Sequence, residues 1–192
     1  MKVKQEDYKG YDDQLSKKLN MTIEEMYGRG LFKKRNLSLV EMMENVSNVF
    51  EFASCYGFLA LEVMKRFPDV NYLCTNFLPE VVEYTKNQGV NSFIFDANDI
   101  PNTDLSKYDT FVCTSLEHLE NDIEIIQSLP TSELFFCATN MDDPTHVWYF
   151  ENLNDIFERY DGIMRIVDTS VFKFKDRVKI IGRGLIYDRI KS

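Results

Sequence analysis

At 192 residues, with 44% hydrophobic and 28% charged side chains, the chain is long enough for one well-buried domain and too ordinary in composition for disorder or low complexity. Its 31 acidic against 22 basic residues give a formal charge of −9, which argues against a broad basic face for duplex nucleic acid. No apolar run approaches the ~20 residues of a membrane span, the charged start Met1–Asp7 lacks the apolar stretch of an export signal, and Cys55, Cys74, Cys113 and Cys137 form no CxxC pair, so the expectation is a cytoplasmic protein with reduced thiols and no membrane partner.

The mixed, polar segment from Tyr8 to Asn36 has room for one or two short helices between Lys17 and Tyr27. Ser38-Leu39-Val40-Glu41 has the pattern of a capping box and predicts a helix opening there and running through Glu44. Strand and helix signals then alternate. Val46–Ala53 reads as a buried strand, and Phe58–Phe67 as a helix with Leu59, Val63 and Phe67 on one stripe. Val70–Thr75 is a second strand, and Pro79 suits the first turn of a helix to about Asn87. Ser92–Phe95 and Tyr108–Thr114 are the third and fourth strands, and Asn121–Leu129 is a helix. Glu133–Thr139 is the fifth strand and Asn152–Tyr160 a helix. Ile163–Phe174 and Val178–Tyr187 are two long strands about a tight turn at Lys175-Asp176.

This alternation predicts an α/β, doubly wound, mostly parallel sheet of seven strands with helices on both faces, a three-layer sandwich. The last two strands, with no helix between them, form an antiparallel hairpin at one edge. Ligands of such sheets bind beyond the carboxyl ends of the strands. Here those ends are followed by Ala53–Gly57, Asn76–Pro79, Asp96–Pro101, Thr114–Glu120 and Asn140–Phe150. The cysteines also fall near strand ends, where a small buried hydrophobe explains them better than a thiol catalyst does. Both histidines, His118 and His146, fall in these loops, and imidazole is the side chain suited to accepting a proton near neutral pH.

Four segments in order carry a family resemblance. Val49-Phe50-Glu51-Phe52-Ala53-Ser54-Cys55-Tyr56-Gly57 resembles the acid-then-glycine-loop motif of class I S-adenosylmethionine-dependent methyltransferases. Phe95-Asp96-Ala97 looks like that family's segment after the third strand, Tyr108–Glu120 with its Glu-His-Leu-Glu tail like its fourth-strand motif, and Cys137–His146 like its loop after the fifth. The resemblance implies a single Rossmann-like domain over residues 1–192, with residues 1–36 as a helical lid. It implies S-adenosyl-L-methionine as cofactor and an oxygen or nitrogen of a small molecule as methyl acceptor.

Carried over position by position, the resemblance assigns cofactor contacts to Glu51 (loop backbone and the cofactor's amino group) and to Ala53, Cys55 and Gly57 in the three glycine places. Asn76 stands where the family has a ribose-binding acid, Phe77 beside the adenine face, Asp96 at the adenine amino group with Ala97 beside the ring, and Thr114 joins the set. Glu117, His118 and His146 form the catalytic set, with His118 the first choice of base. In some relatives the Glu-His pair helps hold a divalent metal, but the further acid found there is Thr114 here, and no metal is assigned. The aromatics from Trp148 to Phe150 would either shield the reacting centre or anchor their loop. Two of the three glycines are replaced, so a noncatalytic binding module on this fold is the alternative function. A nicotinamide-binding domain fits less well, because the glycine loop is altered and there is no second domain.

Overall fold

The computed structural model describes residues 17, 20–131, 133–141, 143, 145–174 and 177–187. The turn at Lys175-Asp176 and most of the segment before Asn20 lie outside them. Seven strands form one sheet: β1 Asn48–Phe52, β2 Asn71–Asn76, β3 Ser92–Ile94, β4 Thr110–Cys113, β5 Glu133–Thr139, β6 Met164–Phe174 and β7 Arg177–Ile186. Their spatial order is β3-β2-β1-β4-β5-β7-β6. The first five are parallel, β7 runs antiparallel to β5, and β6 closes the edge antiparallel to β7. The sandwich, the parallel core and the edge hairpin are those expected from the sequence.

The helices that lie wholly within the described residues are α1 Ile23–Tyr27, α2 Gly30–Met42, α3 Phe58–Arg66, α4 Pro79–Asn87, α5 Asp122–Ser128 and α6 Leu153–Arg159, with 3₁₀ turns at Ala97–Asn102 and Leu116–His118. One expectation is corrected. Ser38 does not open a helix: it lies inside α2, which starts at Gly30 and ends at Met42. The buried stripe Arg35, Asn36, Leu39, Val40 and Met42 extends the helix upstream, because packing of one face outweighs a local cap signal. Capping boxes open α1, where Thr22 accepts from the Glu25 N–H and Glu25 reaches back to Thr22, and α6, where Asn152 and Asp155 do the same.

Alternation along the strands sorts the core into two layers. Phe50 and Phe52 of β1, Phe111 and Cys113 of β4, and Leu134, Phe136 and Ala138 of β5 pack with α5 and α6. Val49, Val112, Phe135 and Cys137 face the other way, onto Leu39 and Met43 at the end of α2 and Leu59 and Val63 of α3. Parallel pairing brings the carboxyl ends of β1–β5 to one edge. Antiparallel pairing then sets Lys179 of β7 opposite Thr139, at that same edge. No helix among the described residues is long and apolar enough to cross a membrane.

Candidate functional site

The loop after β1 makes the sharpest turn of the site. Ala53, Tyr56 and Gly57 all hold positive φ, at 49°, 51° and 72°. A side chain in this region costs about 1–2 kcal/mol, so the strain falls on Ala53 and Tyr56, whereas Cys55 is not among the positive-φ residues. The surroundings hold the loop in place: Ser54 N–H donates to Thr75 O at 3.0 Å, and Gln88 Nε2 to Tyr56 O at 2.7 Å. Gly57 serves helix packing, because a Cβ there would lie 2.7 Å from Thr85 Cγ2 of α4. Cys55 faces the cleft, with Sγ 3.3 Å from Ser115 Oγ.

Glu51 does not hold the loop backbone. Period-two alternation puts its side chain on the face of Val49, where it accepts from Tyr72 Oη (3.0 Å), Cys74 Sγ (3.3 Å) and Thr114 Oγ1 (3.1 Å). Burial raises its pKa against the pull of those donors. Its backbone carbonyl in turn accepts from Thr75 Oγ1, so Glu51 ties β1 to β2 and β4 beneath the loop.

Asn76 is largely committed. Its Nδ2 donates to Ser54 O at 2.7 Å and its Oδ1 accepts from Leu78 N at 2.8 Å, a turn that leads into Pro79 and α4. Phe77 projects between two lobes of one crevice. Asp96 caps the 3₁₀ turn, Oδ1 accepting from the Asn98 backbone and side chain, both at 2.9 Å. Among the described residues no donor reaches Asp96 Oδ2.

Glu117, His118 and His146 meet beneath the loop that follows β5. Val147 and Trp148 N–H groups clasp the Glu117 carbonyl at 2.8 and 3.1 Å. Each imidazole donates Nδ1–H to a carbonyl, His118 to Thr145 O at 3.2 Å and His146 to Met141 O at 2.8 Å, which leaves the lone pair on Nε2. The rings meet edge to face at 4.5 Å, and His146 Nε2 lies 3.9 Å from Glu117 Oε1. Glu117 Oε2 is buried with no hydrogen-bond partner among the described residues. One ligand atom from each of the three lies within 4.8 Å of the others, so the trio could hold a divalent cation, with the two carbonyls orienting the imidazoles.

Burial dominates both shifts here. It raises the Glu117 carboxyl to about 7, against the attraction of Lys179 and Arg35. It lowers His118 to about 4, with His146 adding to the effect. His118 is therefore neutral but weakly basic, and Glu117 is the group whose pKa matches neutral pH. The stability consequences oppose each other. From about pH 4.5 to 7 folded Glu117 keeps a proton that the unfolded chain has lost, so its contribution falls as pH rises. From about pH 4 to 6.5 folded His118 lacks a proton that the unfolded chain holds, so its contribution grows. In metal-free protein, Glu117→Gln should remove the first slope. Its stability relative to wild type, from urea unfolding, should climb by about 3 kcal/mol between those limits. A difference that stays constant with pH would contradict the raised carboxyl.

Of the loop aromatics, Trp148 and Phe150 anchor the loop, whereas Tyr149 is exposed. Trp148 Nε1 donates to Leu119 O at 2.7 Å, the Arg159 guanidinium lies 3.2 Å from the Trp148 ring centroid, and Phe150 is buried in the core.

The crevice has two lobes that share Ala53, Phe77 and His118. The outer lobe is lined by Ile94 at the end of β3 and by Asp96, Ala97 and Leu119, which lie beyond β3 and β4. The inner lobe takes in Cys55, Asn76, Thr114, Glu117 and His146. Of the residues expected from sequence, only Glu51 and Gly57 line neither lobe. Arg35 and Lys179 line the inner lobe and were not expected. The sequence signal for each is weak: Arg35 closes the run Lys33-Lys34-Arg35 four residues before Leu39, and Lys179 stands between Val178 and Ile180.

This sheet order, with its crevice beyond the strand ends, is the class I S-adenosylmethionine-dependent methyltransferase fold, and solved structures bear it out. Magnesium protoporphyrin IX methyltransferase from Synechocystis PCC 6803, with bound S-adenosylhomocysteine, superposes over 94% of this chain and 97% of its own, at a TM-score of 0.66 and 14% identity. A SAM-dependent methyltransferase from Archaeoglobus fulgidus matches over 90% and 99%, at 0.61 and 14%. TrmK from M. capricolum, in complex with S-adenosylhomocysteine, matches over 79% and 67%, at 0.54 and 8%. No protein-family model matches the sequence, and no curated protein matches it significantly.

Proposed function

We propose that the chain is an S-adenosylmethionine-dependent methyltransferase acting on an oxygen or nitrogen of a small molecule in the cytoplasm. The observation that carries this reading is the two-lobed crevice, which has an unpaired carboxylate oxygen and an aromatic ring in one lobe and a buried Glu-His-His cluster in the other. The cofactor, when bound, supplies a methyl group already activated on a sulfonium sulfur. The protein then has to orient the partners and exclude water.

Asp96 Oδ2 would accept from the adenine amino group, with Phe77 and Ala97 against the ring. Asn76 acts mainly by holding the loop, and Arg35 would receive the methionyl carboxylate. Glu117, with His146 beside it, takes the acceptor's proton, a role expected first of His118 on sequence grounds. Tyr27, Phe32 and Arg35 line the inner lobe, which supports a lid role for residues 20–36, the continuously described part of the expected 1–36 lid. The four described cysteines are free thiols, in keeping with a reducing compartment.

Calorimetric titration with S-adenosylhomocysteine tests this reading. Asp96→Ala should bind about tenfold more weakly than wild type, the loss of one charge-assisted hydrogen bond. Unchanged affinity would remove the adenine from that lobe.

A second reading of the inner lobe is a divalent metal on Glu117, His118 and His146, favoured by the buried, unpartnered Glu117 Oε2. Co²⁺ added to chelator-treated protein should raise Tm in wild type and not in His146→Ala. Indifference of the wild type would dismiss the ion.

A further inference from the structure

Lys179 is 5% exposed, and among the described residues no carboxylate lies within ion-pair distance of it. Its ammonium lies 4.2 Å from the centre of the Phe32 ring. A cation–π contact contributes about 0.5–2 kcal/mol, less than the several kcal/mol needed to bury a lone charge. Among the described residues, then, this buried cation has no carboxylate paired with it, and Glu117 attracts it only from beyond ion-pair distance.

The position of Lys179 is informative. With Phe32, Thr139 and Met141 it belongs both to the inner lobe and to an adjoining groove. The groove's other walls are apolar (Met21, Met26 and Leu31), with Arg29 and Arg177 among its polar residues. Its one acid among the described residues, Glu25, is bonded to Thr22. In a chain of net charge −9, this concentration of cations beside the buried Glu117 runs against the overall balance.

We propose that the methyl acceptor is an organic anion. An apolar body fills the methionine-lined groove, and a carboxylate or phosphate group pairs with Lys179, which presents the reacting atom toward Glu117. This inference rests on the methyltransferase reading and names the substrate class of the same site. The cofactor's own carboxylate is the competing source of the anion. It is assigned to Arg35, which lines the inner lobe with Cys55 and is not part of the groove.

The test titrates 4-phenylbutyrate, its neutral amide and phenyl phosphate into the protein, with and without saturating S-adenosylhomocysteine. The two acids should bind about tenfold or more tighter than the amide, as a buried ion pair requires. Lys179→Met should bring that ratio to about one while leaving S-adenosylhomocysteine affinity within about twofold, and Lys179→Arg should keep the preference. Because Lys179→Met removes a buried charge that no described carboxylate pairs with, the variant should fold with an equal or higher Tm. Equal binding of acid and amide, no acid binding at all, or a preference that survives Lys179→Met would overturn the proposal. So would a Lys179→Met variant that loses S-adenosylhomocysteine instead, or a short single-stranded oligouridylate that displaces the acid and binds tighter. A protein that prefers the acids yet fails to bind S-adenosylhomocysteine would keep this anion site and lose the methyltransferase reading.

Discussion

Replacing Asp122 with alanine should lower stability by about 3–5 kcal/mol, the expected loss when one partner of a buried ion pair is removed. Asp122 is 1% exposed and holds Arg159 Nε and Nη2 at 2.7 and 2.6 Å and Tyr160 Oη at 2.7 Å. Without it, the hydroxyl and much of the guanidinium lose their acceptor inside the protein. The effect reaches the site through Arg159, which lies on the Trp148 ring, and through Trp148, which is tied to Leu119 O and Glu117 O. A domain of this size should melt about 10 °C lower, and Asp122→Asn, which keeps acceptor and shape, should lose less. A Tm within about 2 °C of wild type would show that the anchor contributes little.

Gly57→Val should have a comparable effect for two reasons. A branched residue at φ 72° adds about 1–2 kcal/mol of backbone strain. Its Cβ would also sit 2.7 Å from Thr85 Cγ2, and Thr85 is fully buried. Overpacking of this kind costs about 1–3 kcal/mol, for a total of about 2–5 kcal/mol. Thr85→Ala removes the colliding methyl and should restore part of the loss, whereas no such rescue is expected for the strain. Thermal unfolding of the single and double variants reads both contributions. Wild-type stability in Gly57→Val would contradict the close approach of α3 and α4.

Most of the sheet was legible because strand periodicity and turn chemistry act locally. Pro79 opens α4, and β5 spans the same residues in sequence and structure. Period two also held the answer for Glu51, since a residue two places from inward-facing Val49 shares its face, but the family's habit for that acid pointed elsewhere. The start of α2 was not legible, because tertiary burial of Arg35 to Met42 overrode the local signal at Ser38. Which loop residues carry positive φ depends on the path between β1 and α3, so the strain falls on Ala53 and Tyr56 and not on Cys55, although Cys55 takes a glycine place in the motif. Arg35 and Lys179 were missed because they come from elements 144 positions apart, on α2 and β7, that only the folded sheet brings to one lobe.

The most direct measurement is a crystal structure of the chain grown with saturating S-adenosylhomocysteine. The nucleoside should lie across the ends of β1 and β2, with its base between Asp96 and Phe77 and its sulfur turned toward Glu117 and His118. A crevice that stays empty under those conditions, or product bound anywhere else, would contradict the methyl-transfer reading outright.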